Sequence, residues 1–242
     1  RIVKSSSIGQ GLDALPIGGQ PDWSEIASSP DSQEIVMATL DELSDVNVQV
    51  WDGDSWNNLA ELTAFSSVST KAIDVEYETI SGNALVAYID LAGTSTQDKI
   101  PRYNIWNGSS WSAQGKAGSV GATPKIIELA SNPMKDEIIL VTNDASNDIN
   151  AQIWDGDSWN NLVELTTTSY SAGQPFDVAY ESLSGDGLIV YTNTAGRDKR
   201  VHYRVVSDGV IGSEQHGPAL GNYGRMYNLI PNPKSDEIIL MV

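Results

Sequence analysis

The chain contains no cysteine. That absence excludes disulfides, thiolate metal sites and a cysteine nucleophile, and it leaves the compartment open. Positive charge is scarce: 14 Lys and Arg stand against 32 Asp and Glu, for a net charge of −18 over 242 residues. Nucleic acids and anionic membranes are bound through a cationic footprint, so neither is an expected partner. No apolar run approaches the ~18 residues that span a bilayer, and no membrane insertion is expected. Helix periodicity and helix caps are lacking throughout. No Gly-rich phosphate loop follows a strand and opens a helix. The two histidines, His202 and His216, sit late in the chain with no nucleophile or partner evident beside them. No signal peptide is visible, and the start at Arg1 reads as a processed, trimmed or excised product. Abundant Ser, Thr, Asn, Asp and Gly with little Lys suits an extracellular or cell-surface protein.

What is present is repetition. Val48-Gln-Val-Trp-Asp-Gly-Asp-Ser-Trp-Asn-Asn58 returns as Ala151-Gln-Ile-Trp-Asp-Gly-Asp-Ser-Trp-Asn-Asn161. A weaker copy, Tyr103-Asn-Ile-Trp-Asn-Gly-Ser-Ser-Trp111, lies between them. Further copies put Val206 and Val3 in the position of the first Trp, with successive spacings of 48 to 55 residues. An Asp-Gly or Asn-Gly pair between alternating runs is the strongest short hairpin signal. A two-residue type I′ turn at Asp52-Gly53 sets Trp51 opposite Asp54 and Gln49 opposite Trp56. A second landmark precedes each hairpin: a polar turn between two apolar runs, as in Asn132-Pro-Met-Lys-Asp-Glu-Ile-Ile-Leu140.

One unit is then four short strands, a to d. In the third unit these are Lys125 to Ala130, Glu137 to Thr142, Asn150 to Trp154, and a fourth from near Ser158. Four-stranded units of about 50 residues are the blades of a β-propeller. The expected fold is one all-β propeller domain over residues 1–242. Its parts are a half-blade over 1–20, blades over about 21–70, 71–123, 124–174 and 175–224, and a half-blade over 225–242. If the half-blades complete one another, five blades close into a ring. The blades also alternate in type. The first and third share Asp-Gly-Asp-Ser-Trp-Asn-Asn, and the second and fourth share Tyr-Glu-x-x-Ser-Gly and a later Ala-Gly (Ala92-Gly93, Ala195-Gly196). Alternation allows a second reading, in which the half-blades pair with other copies or with further sequence. The Asp-Gly-x-Ser-Trp hairpins resemble the Asp-box turns of sialidase-like propellers, with Trp where the Asp-box has its upstream Ser.

Each candidate site has a plainer reading beside it. Trp51, Trp56, Trp106, Trp111, Trp154 and Trp159 are candidate sugar-stacking platforms, against packing between blades. The turn carboxylates Asp52, Asp54, Asp155 and Asp157 supply too few oxygens for calcium and read as turn chemistry. Glu25, Glu76 and Glu128 form a column on strand a, continued by Ala179 and Asn228. They are candidates for a cation site around the channel, against a solvated mouth. Asp41, Asp90, Asp144 and Asn193 end strand b, where capping is expected. Asn107-Gly-Ser109 is a glycosylation sequon on an exposed turn. The Arg residues fall mostly in strand c or the b–c turn, away from a sialidase-like rim, and no carboxylate pair stands out for glycoside hydrolysis.

The expected function is a non-enzymatic extracellular propeller that binds a protein, a glycan or copies of itself through the split blade. The alternative is a carbohydrate-active propeller of sialidase or glycosidase type. No cofactor, catalytic residue or metal ligand is assigned.

Overall fold

The computed structural model describes residues 12–64, 70–91, 99–170 and 173–242, together with the backbone of 3–4 and 7–8. It is a β-propeller built of antiparallel four-stranded sheets. Blade I comprises β3 (Pro21–Ser28), β4 (Ile35–Asp41), β5 (Val46–Trp51) and β6 (Trp56–Thr63). Blade II comprises β7 (Ile73–Tyr77), β8 (Ala84–Tyr88), β9 (Arg102–Trp106) and the short β10 (Gly115–Lys116). Blade III comprises β11 (Pro124–Ser131), β12 (Ile138–Asp144), β13 (Ile149–Trp154) and β14 (Trp159–Thr166). In blade IV, β15 (Phe176–Tyr180), β16 (Gly187–Tyr191) and β17 (Arg200–Ser207) are followed by β18 (Val210–Ile211) and β19 (Gln215–Ala219), both paired to β17. A hairpin of β20 (Asn228–Pro231) and β21 (Ile238–Met241) follows. At the other end β1 (Val3–Lys4) pairs with β2 (Ser7–Ile8).

The inner strands β3, β7, β11, β15 and β20 pack side by side in chain order. Strands b and c carry near-continuous apolar runs because both their faces are covered by neighbouring blades. Thus Ile138, Ile139, Leu140 and Val141 of β12 are all fully buried.

The alternation of blade types is a matter of two different contacts. Each even blade carries a Ser-Gly turn between strands a and b, and the next odd blade supplies an Asp to it. Asp136 Oδ1 accepts the backbone N–H of Ile80 and Ser81 at 2.6 and 3.1 Å. Asp236 Oδ1 accepts those of Leu183 and Ser184 at 2.8 and 2.9 Å. Gly82 and Gly185 in these turns have φ of 70° and 72°, a left-handed geometry that favours glycine. One strand further in, Asp74 Oδ2 accepts the Leu129 N–H and Asp177 Oδ2 accepts the Leu229 N–H, again from even blade to odd. Strand c of the odd blades reaches back in turn: Gln152 Oε1 accepts the N–H of Gly118 at 2.7 Å. Gln49 does the same for Leu15 at 2.8 Å, so the segment ahead of blade I lies where an even blade's last segment lies beside blade III.

The two half-blades lie at the ends of the chain. Among the described residues, β1–β2 and β20–β21 are separate two-stranded sheets and no pairing joins them. Residues 1–2, 5–6 and 9–11 of the N-terminal half-blade, and the Ala92-Gly93 landmark, lie outside the described residues. Burial marks the end faces. Leu129 of β11 is 4% exposed with blade II beside it, whereas Ile26, at the same place in β3, is 66% exposed. Ile239 of β21 is 61% exposed, against 0% for Ile139 in β12.

Candidate functional site

The hairpin turns have four residues rather than two. Trp51 lies directly opposite Trp56, Trp154 opposite Trp159, and Trp106 bridges to Trp111. The reason is the side chain of the first turn residue. Asp52 Oδ1 accepts the N–H groups of Asp54 and Ser55, and the Asp52 N–H closes the loop on the Ser55 carbonyl at 3.1 Å. Asp155 and Asn107 repeat this with Asp157 and Ser158, and with Ser109 and Ser110. A type I′ turn needs φ > 0 at both central residues; Gly53 has φ of 102°, but Asp52 is not left-handed. Asn57 donates to Asp52 Oδ2 at 2.6 Å, so that carboxylate is spent on the turn. The backbone N–H of Ser55 holds the Asp52 carboxyl below its ordinary range, and that of Ser158 does so for Asp155. Asn107 is exposed and likewise spends its carbonyl oxygen on the turn.

Direct opposition brings each Trp pair into tilted or edge-on ring contact, with centroids 5.8, 5.3 and 5.5 Å apart. Trp51, Trp106 and Trp154 are 7%, 1% and 2% exposed and have no face to offer a sugar. Trp154 Nε1 donates to Glu78 of blade II, and Trp111 Nε1 donates to the Asn58 carbonyl of blade I. Trp56, Trp111 and Trp159 are half-buried as lids on the inner rings. The hairpin indoles therefore tie blades together.

The strand-a column converges on the channel. Glu76, Glu128, Ala179 and Asn228 line one cavity of about 390 Å3 with Asp177 and Tyr180. The cation among these carboxylates is the chain's own Lys71. Its Nζ lies 2.8 Å from Glu128, 3.4 Å from Glu25 and 3.6 Å from Asp74, so it bridges three blades. Burial opposes the Lys71 charge, but Asp74, Glu128 and Glu25 outweigh it and hold the ammonium above its usual range. Burial raises Glu128, with Lys71 opposing. Burial also pushes Glu76 up to about 7, and the Ser131 hydroxyl bonded to it at 2.9 Å only partly offsets this. At the ends of strand b, Asp41 and Asp144 each accept two backbone N–H groups of the following turn, and Asn193 accepts one. Asp90 instead accepts from the Thr63 hydroxyl and the Gln114 amide.

Two groupings were not legible as sites in the sequence. The first is a cleft between the loops that lead into blade IV and out of it. These loops are joined where Gln174 bridges Met226 and its carbonyl accepts the Tyr227 N–H. The rings of Tyr170 and Tyr223 meet edge to face at 5.9 Å, and the Arg225 guanidinium sits 5.2 Å from the centre of the Tyr170 ring. Beside them a cavity of about 430 Å3 is lined by Leu220, Asn222, Tyr223, Arg225 and Met226, among others. Each residue belongs to an irregular loop, where no repeat or alternation flags it. The second grouping sets His202 opposite His216 across β17 and β19, their rings meeting edge to face with centroids 4.7 Å apart. A two-residue turn at Asp208-Gly209 would place Gln215 opposite His202. One extra residue in the return strand brings His216 there instead.

No protein-family model matches the chain, and a search of curated proteins finds no match. Among solved structures it is similar to propeller lectins. Aleuria aurantia lectin in complex with Fucα1-6GlcNAc matches at a TM-score of 0.53 and 15% identity, covering 85% of this chain and 68% of that one. SapL1 lectin in complex with α-methyl fucoside matches at 0.53 and 15%, covering 90% and 74%. A lectin from Burkholderia pseudomallei matches at 0.55 and 12%, covering 86% and 57%, so the chain spans little more than half of that relative's length. The Aleuria lectin is described as six-bladed. At these identities the likeness establishes the fold: the chain is a β-propeller of the architecture seen in these lectins.

Proposed function

We propose that the chain is a non-enzymatic propeller that binds glycans outside the cell, in clefts between its blades. The observation that carries this is the cleft lined by Asn222, Tyr223 and Arg225, with Tyr170 packed against the last two. Recognition of a sugar needs an aromatic surface for its C–H face and fixed donors and acceptors for its hydroxyls. The Tyr223 ring, held by Tyr170 behind it, supplies the first. The Arg225 guanidinium, already oriented by Tyr170, and the exposed Asn222 amide supply the second. Neighbours of the same architecture are lectins, two of them with fucosides bound, which supports a saccharide as the ligand class. An exposed sequon turn at Asn107 fits an extracellular setting; recovery of the native protein from inside cells alone would oppose it.

The glycosidase reading is less well supported. The channel carboxylates are committed to Lys71, Ser131 and the Gln174 amide, rather than paired across an open substrate path.

A glycan array followed by titration calorimetry with α-methyl fucoside and the best array hit tests the proposal. Saturable binding is expected, weakened at least ~10-fold by Tyr223→Ala and by Arg225→Ala, the scale of a lost anchor. Aryl glycosides should not be hydrolysed. A blank array refutes glycan binding, and turnover of any aryl glycoside refutes the non-enzymatic assignment.

A further inference from the structure

The outer edge of blade IV gathers two imidazoles and two carboxylates. His202 Nδ1 lies 3.3 Å from Glu214 Oε1, and His216 Nε2 lies 3.2 Å from the same oxygen. One ligand atom from each of His202, Glu214 and His216 falls within a single sphere of contact, all within 4.8 Å of one another. On the far side of the rings, Asp198 Oδ1 is 3.2 Å from His202 Nε2, and Asp198 Oδ2 is 3.8 Å from His216 Nδ1. Tyr191 donates to Glu214 Oε2 at 2.6 Å and fixes that carboxylate.

The protons at His202 do not balance. Both ring nitrogens of His202 face carboxylates, and a neutral imidazole has a single N–H; with Nε2–H given to Asp198, Nδ1 is left as a bare lone pair. That lone pair faces the oxygen of Glu214, another acceptor. His202 is 2% exposed, and its Nδ1 makes no hydrogen bond. A buried acceptor aimed at a second acceptor is unfavourable unless something positive lies between them.

We propose that His202 Nδ1, His216 Nε2 and a Glu214 carboxylate oxygen bind one divalent transition-metal ion of the Zn2+ class. Ligands ~2.0–2.1 Å from a tetrahedral zinc stand about 3.3 Å from one another. The two separations from Glu214 Oε1 match that edge. Asp198 then takes the place of the outer carboxylate that orients a metal-bound imidazole and keeps its proton on the far nitrogen. Two imidazoles and one carboxylate suit zinc, copper or nickel rather than magnesium or calcium, which prefer oxygen. The His216 side chain is 50% exposed, so the ion has an entry path and water can complete its coordination. The charge of −18 favours any cation. This site is separate from the sugar cleft, and its assignment does not rest on glycan binding.

The test uses the full chain stripped with a chelator, titrated with Zn2+ by calorimetry at neutral pH under excess Mg2+, which occupies ordinary surface carboxylates. One equivalent of Zn2+ should bind and raise Tm. His216→Ala and Glu214→Gln should each weaken binding at least ~10-fold, and Asp198→Asn by about 10-fold. Co2+ added to the unaltered chain should show the intense visible bands of four-coordinate cobalt, a readout that needs no variant to fold. Absence of saturable binding under Mg2+, equal affinity in the His216→Ala variant, or a six-coordinate Co2+ spectrum each overturns the proposal.

Discussion

Glu76 shows how burial, reinforced by a nearby like charge, converts a side chain into a pH-sensitive element. It sits in the channel with the Ser131 hydroxyl and the Tyr77 backbone N–H as neutral partners and Glu128 as a nearby like charge. An acid whose folded pKa lies above its unfolded one is held more tightly as the protonated form in the folded state. Its favourable contribution is complete below the unfolded value, near 4.5, and is lost as pH rises through about 7. Urea unfolding should therefore show lower stability at pH 8 than at pH 5. Asp74 and Glu128 are raised too and contribute in the same sense. Glu76→Gln isolates the residue, because the amide needs no proton to remain neutral. The variant should gain on the order of 1–2 kcal/mol over wild type at pH 8 and nothing at pH 5, a modest figure because Glu76 keeps some exposure in the channel. An equal difference at both pH values would show that Glu76 does not titrate in this range.

The hairpins are governed by one oxygen atom per turn. Asp52, Asn107 and Asp155 occupy equivalent places, and each uses Oδ1 to collect two backbone N–H groups. Asn107 shows that the amide oxygen serves as well as the carboxylate. Asp155→Asn should therefore leave Tm within about 1 °C of wild type, whereas Asp155→Ala should lower it by about 2–4 °C. Differential scanning calorimetry distinguishes these outcomes, and equal losses in both variants would assign the effect to charge rather than turn geometry. The sequence shows the hairpin and its repeat. It does not show the loop length, because Asp-Gly is compatible with either two or four residues. The capping bonds of Asp155 select four, and that choice turns a diagonal Trp pair into a directly opposed one.

At the scale of the molecule, the repeating unit is a pair of blades, because Asp136 and Asp236 dock onto the even blade ahead of them. Odd and even blades alternating without a break around a closed ring would come in an even number. The described structure exposes Ile26 of the inner strand β3 and Ile239 of β21. Exposed apolar strand faces associate edge to edge or face to face. Sedimentation velocity should show concentration-dependent self-association of this chain. Ile239→Lys should suppress it without lowering the fraction of folded protein measured by circular dichroism. A monomer at all concentrations in both proteins would show that the faces are covered within one molecule.

The sequence alone carries the strand pattern, the five copies of the hairpin, the column of Glu25, Glu76 and Glu128, and the two blade types. These are local or periodic properties, written by turn chemistry and by apolar strands that must be covered on both faces. Tertiary structure decided what the chemistry faces. It buried Trp51, Trp106 and Trp154 at blade contacts and set Lys71 among the channel carboxylates. It also drew Tyr170 and Tyr223 together from loops 53 residues apart in sequence. One extra residue in a return strand placed His216, rather than Gln215, across from His202. Each of these depends on register or on contact between blades. A one-residue change in pairing sends a side chain to the other face of its sheet, and no composition or spacing in a single strand records which neighbour it will meet there.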